Sequence, residues 1–324
     1  MSARRAARIG VVQARIDPLP DHCVPGSGSQ YLQSLRTDFL EPRIKRFERL
    51  IERAGKDRCD LVLATEDMTG ACTSFRFQPD HPEMMEALID TIPGEITRRM
   101  GLLARTYNMY IVAPIVSFDG SVYRNSAALI DRGGNVCGVY HKVHIPQSEA
   151  PCLVGGDEFP VFAMDFANLG IAICYDIVFP ETCQILAMKG ADLIVVPSMA
   201  LGVTEDSGLA RLKCRASDNS VHLASALYRT HSKTGRSCII DWDGVILADA
   251  SYLEDAVITA DIDFARERLG GEPPYRPRRL LERRVDLYHE ALEEAPILAE
   301  RYPDAKLPTP RSQAGHLAPS QKAR

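Results

Sequence analysis

The chain has 324 residues, of which 45% are hydrophobic and 25% are charged, a composition typical of a soluble globular protein. Its net charge of −5 argues against a general nucleic-acid binder, because such a protein needs a basic surface to neutralise phosphates. No apolar stretch approaches the ~20 residues that span a bilayer, and charges interrupt the N-terminal apolar run too soon for a signal peptide, so we expect a cytoplasmic protein without a membrane partner.

The first half of the chain predicts strands separated by two helices. Residues 8–14 are typical of a buried strand, whereas residues 16–40 contain Pro, Gly and Ser and predict no regular element. A helix begins at about Pro42, where apolar side chains recur at helical spacing. After it come, in order, a strand at 61–64, a helix at 94–107 and strands at 110–113, 123–130 and 136–142. The last two strands are joined by Asp131-Arg132-Gly133-Gly134-Asn135, which is typical of a hairpin turn.

The second half continues the alternation. Its predicted strands lie at 161–165, 170–174, 193–197, 237–241 and 245–248, and its predicted helices at 180–189, 208–220 and 279–300. This order predicts a layered α/β domain with mixed sheets, because strands and helices bury their apolar faces against each other in layers. We expect one domain at residues 1–305, with a core at 8–265 and a C-terminal extension at 266–305. Residues 306–324 are polar and contain Pro, which predicts a disordered tail.

The cysteines are nine, an odd total, and none forms a CxxC pair. This spacing suits neither a zinc site nor a disulfide framework, so we expect no bound metal. In a reducing compartment most of these residues act as small buried hydrophobic side chains.

Three reactive side chains follow predicted strands. Glu66 comes after the strand at 61–64, and Lys142 and Cys174 each end a strand. In α/β folds, functional groups collect at the carboxyl edge of the sheet, so we expect the three residues at that edge. Taken singly, each is more often a solvated loop residue or a packed core residue than a catalytic group.

Cys174 has the most reactive surroundings of the nine cysteines. It is followed by Tyr175-Asp176 and then by Pro180, which fits the first position of a helix. Strand, nucleophile, tight turn and helix form an elbow that exposes a nucleophile under backbone N–H groups. Such surroundings lower the pKa of a thiol, so the pattern predicts an available thiolate at Cys174.

Two histidines offer a competing arrangement. His141 and His144 flank Lys142, so a Cys–His pair is an alternative way to activate a nucleophile. Their spacing on an extended segment does not favour a metal site, and no third ligand stands out. We interpret both as structural or supporting residues.

At these residues the sequence resembles the nitrilase (carbon–nitrogen hydrolase) superfamily over residues 8–265. The block Asp60-Leu-Val-Leu-Ala-Thr-Glu66 is similar to the family's apolar run that ends in a catalytic glutamate, although Thr65 stands where the family usually has Pro. Two further blocks match: Tyr123-Arg-Asn-Ser126 through Gly138-Val-Tyr-His-Lys-Val-His-Ile-Pro146, and Gly170-Ile-Ala-Ile-Cys-Tyr-Asp-Ile-Val-Phe-Pro-Glu181. A predicted helix that contains Arg215-Ala-Ser-Asp-Asn219 also matches, with Asp218 in place of the family's Glu.

The resemblance also marks a second glutamate. Many family members carry one a short distance before a Pro-Gly-Asp, and here Glu149 precedes Gly155-Gly156-Asp157 by the matching interval. The loop from Lys142 to Glu149 is shorter than is usual in the family. We carry Glu149 over as a fourth catalytic residue.

The resemblance implies a four-layer α-β-β-α sandwich and acyl transfer through a cysteine thioester. Glu66 would act as general base, Cys174 as nucleophile and Lys142, with the backbone N–H of Tyr175, as oxyanion stabiliser. Glu149 would position the substrate or water and hold Lys142. No metal or organic cofactor is implied. Relatives pair through their helix layers, so a homodimer or a higher even oligomer is expected.

The same resemblance bears on the substrate, a small amide, carbamoyl compound or nitrile. Cys-Tyr-Asp after the strand is more similar to amidases and carbamoyl-amide hydrolases than to nitrilases, where Cys-Trp-Glu is usual. Ile177-Val178 lacks the arginine that many carboxylate-binding relatives place there, which makes an acidic substrate less expected. Candidate substrate contacts are Arg76, Arg124, His144, Asp176 and Met199.

Rival hypotheses come from the same family. A nitrilase acting on a nitrile is the alternative enzyme, and a non-catalytic scaffold relative is the alternative from another functional class. Intact Glu66, Lys142 and Cys174 argue against the scaffold. The lack of spanning segments excludes a membrane acyltransferase of this superfamily.

Overall fold

Strands and helices alternate along the described part of the chain, which comprises residues 6–72, 80–200, 204–229, 236–251, 254–264 and 283–288 of a computed structural model. The strands are β1 (Ala6–Arg15), β2 (Leu61–Leu63), β3 (Tyr110–Phe118), β4 (Tyr123–Ile130), β5 (Val136–His141), β6 (Val161–Ala163), β7 (Asn168–Ile171), β8 (Leu193–Ser198), β9 (His222–Arg229), β10 (Cys238–Ile240), β11 (Ile246–Asp249) and β12 (Ala256–Asp263). The helices are α1 (Tyr31–Ser34), α2 (Glu41–Lys56), α3 (Pro82–Leu88), α4 (Glu95–Tyr107), α5 (Pro180–Met188) and α6 (Glu205–Asn219). Short 3-10 turns lie at Asp21–Cys23 and Cys174–Val178, and a π-helical turn at Leu35–Leu40 joins α1 to α2.

The strands form two mixed sheets that repeat one order of pairings. In the first sheet the order is β12-β1-β2-β3-β4-β5, and in the second it is β6-β7-β8-β9-β10-β11. In both, the first pairing is antiparallel, the next two are parallel and the last two are antiparallel. The sheets join where the end of β1 pairs with the end of β9, at Ala14↔Tyr228 and Arg15↔Arg229.

Side-chain alternation along the strands produces four layers. In β1, Ile9 and Val11 face the second sheet, whereas Val12 and Ala14 face the helices. The central core lies between the two sheets, and each sheet buries its other face against two helices. The covering helices are α2 and α4 on the first sheet and α5 and α6 on the second. This is the predicted α-β-β-α sandwich.

Helix α2 shows how the sequence sets an element of the outer layer. Pro42 lies in its first turn, where the missing N–H costs no hydrogen bond, and Glu41 and Lys56 lie at the ends that favour their charges. Its buried residues follow helical spacing: Ile44, Phe47, Leu50, Ile51 and Ala54. Each large apolar side chain on this face contributes about 1.5–3 kcal/mol when fully buried.

The prediction of no regular structure at residues 16–40 was wrong. The segment contains a 3-10 turn, α1 and the π-helical turn that continues into α2. It is ordered by long-range packing, because Leu35 and Phe39 lie in a small core with Cys72, Met84 and Leu153. Local sequence cannot reveal such contacts.

Several boundaries also differ from the sequence predictions. Strands β9 and β12 were not predicted, and β7 ends at Ile171, three residues before Cys174. Strand β9 contains Ala224, Ser225 and Ala226, whose small side chains have little strand preference. The predicted contact residue Arg76, the tail at 306–324 and all but 283–288 of the predicted helix at 279–300 lie outside the described residues.

Within the described residues, none of the helices is long and apolar enough to cross a membrane. The same part of the chain contains no group of three His, Cys, Asp or Glu side chains arranged to hold a metal ion.

Three deeply buried thiols are expected to make the fold sensitive to alkaline pH. Burial raises the pKa of Cys59, Cys183 and Cys238 to about 12. The unfolded chain releases these protons near pH 8.5 to 9, whereas the folded chain keeps them, so stability falls as pH rises from 9 towards 12. We expect a loss of about 1.4 kcal/mol per pH unit for each thiol.

Urea unfolding followed by circular dichroism at pH 8, 9 and 10 measures this slope. The variant Cys238→Ala is the matched control, because it removes one of these buried thiols and should flatten the slope by about one proton. Equal slopes for this variant and the unaltered chain would contradict the prediction.

Candidate active site

Four strand ends from both sheets bring the predicted reactive residues together. Glu66 lies three residues beyond β2, Lys142 directly follows β5, and Cys174 lies three residues beyond β7. Met199 directly follows β8. The residues therefore meet at the carboxyl ends of strands, where α/β sheets place functional groups.

A buried ammonium group lies between two buried carboxylates. Lys142 Nζ donates to Glu66 Oε1 at 3.0 Å and to Glu149 Oε2 at 2.9 Å. The side chain of Lys142 is 0% exposed, and those of Glu66 and Glu149 are 1% and 5% exposed. Burial alone would lower the pKa of Lys142, but the carboxylates of Glu66 and Glu149 outweigh it and hold the pKa well above its usual value. Lys142 is therefore a permanent cation in the site.

The Glu66 carboxylate is held in one orientation by three donors. Its Oε1 accepts from Asn125 Nδ2 at 2.8 Å as well as from Lys142, and its Oε2 accepts from the Met199 backbone N–H at 2.7 Å. These partners come from β4, from the end of β5 and from the end of β8. Both sheets thus fix the position of one carboxylate.

Cys174 occupies the predicted elbow. It is the first residue of the 3-10 turn Cys174–Val178, and α5 begins two residues after that turn. Its φ of 49° lies in the left-handed region, which is strained for a residue with a Cβ atom and is typical of functional positions. The thiol donates to the Ala200 carbonyl at 3.7 Å.

The predicted lowering of the Cys174 pKa was wrong. Burial raises the pKa of this thiol to about 12, and the carboxylates of Glu66 and Glu149 also raise it, whereas Lys142 lowers it. In the free protein the thiol therefore keeps its proton at neutral pH. An attack by this sulfur therefore needs a base that takes the proton as the new bond forms. The Glu66 carboxylate is near enough to the thiol to raise its pKa.

Asp176, a predicted substrate contact, is instead turned into the protein. Its side chain is 0% exposed, and its two oxygens accept from Tyr140, Ile173 and His144. With both oxygens occupied, Asp176 has no free acceptor for a substrate. Its role is therefore structural support beneath the turn that carries Cys174.

Arg124 also points away from the site. Successive side chains of a strand face opposite sides, and Asn125, its neighbour in β4, faces Glu66. Arg124 Nη1 donates to the Gly155 carbonyl at 2.6 Å, and the next N–H, of Gly156, donates to the Lys142 carbonyl at 2.8 Å. Arg124 therefore supports the loop beside Lys142 and is not placed to bind a substrate.

The remaining predicted contacts lie around the elbow. His144 Nδ1 bonds to Asp176 Oδ1 at 2.9 Å, and its ring stacks on Phe179 with centroids 3.9 Å apart. Met199 enters the site through its backbone N–H, and Tyr175 is 38% exposed at the second position of the 3-10 turn. The first N–H groups of such a turn have no partner within it, so the N–H of Tyr175 is suited to bind an oxyanion.

The competing Cys–His arrangement is not what the geometry shows. His141 Nδ1 lies 2.7 Å from Ser126 Oγ, and His144 is bonded to Asp176. The Cys174 thiol donates to a backbone carbonyl. In both histidines, Nδ1 is thus bonded to a residue other than Cys174.

Two residues that contribute to the site were not singled out from the sequence. Asn125 is fully buried and donates to Glu66. Arg215, on α6, donates to the carbonyls of Ile177 and Val178 at 3.3 and 3.2 Å and so holds the far end of the Cys174 turn. Both stand inside the sequence blocks quoted above, and a polar residue in an apolar strand is itself a sign of a required partner.

Comparisons with known proteins find a matching family model and similar sequences. A family model described as carbon-nitrogen hydrolase matches residues 8–269. A nitrilase from Pyrococcus abyssi is 32% identical over 241 residues, which cover 72% of this chain and 88% of that protein. An omega-amidase from Xenopus laevis is 31% identical over 254 residues, covering 72% and 87%, and a citrullinase from Francisella tularensis is 32% identical over 198 residues, covering 55% and 68%.

The fold is also found among solved structures. An amidase from Nesterenkonia sp. superposes with a TM-score of 0.65 at 21% sequence identity. The match covers 90% of this chain and 97% of that one. The arrangement of layers is therefore shared over nearly the whole of both chains.

Proposed function

Because the chain belongs to the carbon–nitrogen hydrolase family, we propose that it hydrolyses a small amide or N-carbamoyl compound through a thioester on Cys174. One observation carries the proposal: a buried Lys142 ammonium lies between the Glu66 and Glu149 carboxylates and acts, with them, on the thiol of a strained elbow cysteine. A base, a nucleophile and a cation for a developing negative charge are the three parts that acyl transfer requires.

The first half-reaction forms the thioester. Glu66 takes the proton of the Cys174 thiol while the sulfur attacks the carbonyl carbon and the carbonyl π electrons move to oxygen. The Lys142 ammonium and the Tyr175 N–H stabilise that oxyanion, and one such donor is typically worth about 3–4 kcal/mol. When the carbonyl re-forms, the C–N bond breaks, and Glu66 returns its proton to the departing nitrogen. Ammonia or an amine leaves.

The second half-reaction consumes water. Glu66 is again a carboxylate and takes a proton from a water molecule while the water oxygen attacks the thioester carbon. The C–S bond then breaks, the sulfur recovers the proton from Glu66, and the acid is released. Glu149 holds Lys142 in place through both steps, because its oxygen accepts from Nζ at 2.9 Å.

Amides and carbamoyl compounds are favoured over nitriles. The relatives named omega-amidase and citrullinase support this choice, and citrulline carries a carbamoyl group. Cys-Tyr-Asp at the elbow gives the same preference. A nitrilase is the second candidate, because the Pyrococcus abyssi relative carries that name.

A substrate panel tests the proposal. Primary amides, N-carbamoyl amines and nitriles are compared by ammonia release, and intact-protein mass spectrometry detects the acyl adduct. We expect turnover of an amide or carbamoyl compound and an adduct on the peptide that contains Cys174. Turnover of nitriles alone would favour the second candidate, and turnover without any adduct on Cys174 would contradict the thioester.

A further inference from the structure

The Asp176 carboxylate gathers four hydrogen bonds at a point beneath the active site. Oδ1 accepts from the backbone N–H of His144 at 2.8 Å and from His144 Nδ1 at 2.9 Å. Oδ2 accepts from the Tyr140 hydroxyl at 2.7 Å and from the backbone N–H of Ile173 at 2.9 Å. A carboxylate with 0% exposure that receives four donors is a rigid, fully satisfied group.

These partners belong to two segments, and each segment carries one reactive residue. Tyr140 and His144 stand two residues before and two residues after Lys142. Ile173 immediately precedes Cys174, and Asp176 follows it by two residues. One carboxylate therefore ties both sides of the lysine segment, in the first sheet, to the elbow, which follows the second sheet.

We propose that Asp176 is a positioning residue that sets the separation between the Lys142 ammonium and the Cys174 sulfur. The inference rests on the proposed function, in which the oxyanion forms between these two groups. Acyl transfer is sensitive to such a distance, since a displacement of about 1 Å can cost about 100-fold in rate.

The surroundings give the carboxylate little freedom. Since an ionised carboxylate only accepts, His144 Nδ1 carries a hydrogen, which fixes the tautomer of the ring. The same ring is stacked on Phe179 with 15° between the planes. Arg215 holds the other end of the turn through the carbonyls of Ile177 and Val178, so the elbow is fixed from both ends.

Replacing Asp176 by Asn separates position from bulk. The amide has the same shape but only one accepting oxygen, and its NH2 group donates. The Tyr140 hydroxyl can rotate, and the His144 ring can carry its hydrogen on Nε2, so both can accept from the amide, whereas the backbone N–H groups of Ile173 and His144 cannot. One of these two N–H groups must lose its acceptor, so the connection opens on either the cysteine side or the lysine side.

The test compares Asp176→Asn with Asp192→Asn. Asp192 is also buried and accepts from a backbone N–H, that of Asn168 at 2.9 Å, but it lies at the opposite ends of the strands. We expect Asp176→Asn to lower kcat about 100-fold, with Cys174 still alkylated by iodoacetamide within about threefold of the normal rate. Asp192→Asn should keep kcat within about twofold.

Two outcomes would overturn the proposal. One is a kcat for Asp176→Asn that stays close to that of Asp192→Asn. The other is an equal loss of kcat and of alkylation rate, which would show collapse of the elbow and not a changed separation. Turnover by the unaltered chain and by Asp192→Asn reports separately on the proposed function.

A milder variant keeps the test open should Asp176→Asn fold poorly. Tyr140→Phe removes one donor to Oδ2 and leaves the ring in the core. We expect a loss in kcat of about fivefold, and no loss beyond that of Asp176→Asn in the double variant, because both changes act through one carboxylate. An unchanged kcat for Tyr140→Phe, or fully additive losses, would overturn the proposal.

Discussion

Cys174→Ala is expected to lower kcat by about 10⁴-fold or more, because it removes the atom that forms the acyl bond. Its backbone already occupies the left-handed region at φ 49°, and Ala has the same Cβ atom, so the elbow keeps its geometry. Binding of substrate is expected to persist. Ammonia release measures kcat, and calorimetric titration with an amide measures binding to the inactive variant.

The matched control for Cys174 is a cysteine outside the site. Cys214 is exposed on α6, so Cys214→Ala should retain full turnover. Cys72 lies closer, with its sulfur 4.0 Å from Asn125 Nδ2, but it is buried and burial raises its pKa well above the usual value. Measurable turnover by Cys174→Ala, with an adduct on any other cysteine, would contradict the assigned nucleophile.

Lys142→Met is expected to impair both catalysis and folding. Loss of the ammonium removes an oxyanion donor, which should lower kcat about 10³-fold. It also leaves the carboxylates of Glu66 and Glu149 buried without their shared cation. Removing one partner of a buried ion pair typically costs about 3–5 kcal/mol of the free energy of unfolding. Urea unfolding and ammonia release measure the two effects.

A double variant separates these two effects. Lys142→Met combined with Glu149→Gln removes one of the two buried carboxylates that have lost the Lys142 ammonium. Part of the lost stability should therefore return while kcat stays low. Recovery of turnover together with stability would show that Lys142 acts only in folding. A single Lys142→Met variant with kcat above one tenth of normal would contradict its role at the oxyanion.

The sequence and the structure agree best on the reactive residues. Glu66, Lys142 and Cys174 were placed at strand ends from apolar runs and turn residues, and the structure brings them together with Glu149. Such runs are visible locally because a buried strand needs consecutive apolar residues. The family resemblance supplied their proposed chemical roles.

Two of the predicted substrate contacts, Arg124 and Asp176, point away from the site. Arg124 faces the other side of β4, and Asp176 has its oxygens occupied within the protein. Arg124 adjoins Asn125, which faces Glu66, but neighbours on a strand point to opposite faces. Asp176 stands two residues after Cys174 in a 3-10 turn, where its oxygens accept from the protein itself. The direction of a side chain depends on strand register and on its partners, neither of which is local.

The sequence by itself indicated the layered fold and the one cysteine of nine that stands at an elbow, because these depend on apolar spacing and turn residues. It indicated the family through the resemblance of the blocks around Glu66, Lys142 and Cys174. Only the tertiary structure decided the protonation of Cys174, the orientation of Glu66 and the role of Asp176. The pKa of Cys174 rises because the folded protein withdraws the thiol from water beside two carboxylates. The partners of Glu66 and Asp176 come from segments far apart in the chain, and hydrogen bonds between such segments exist only after the two sheets have packed.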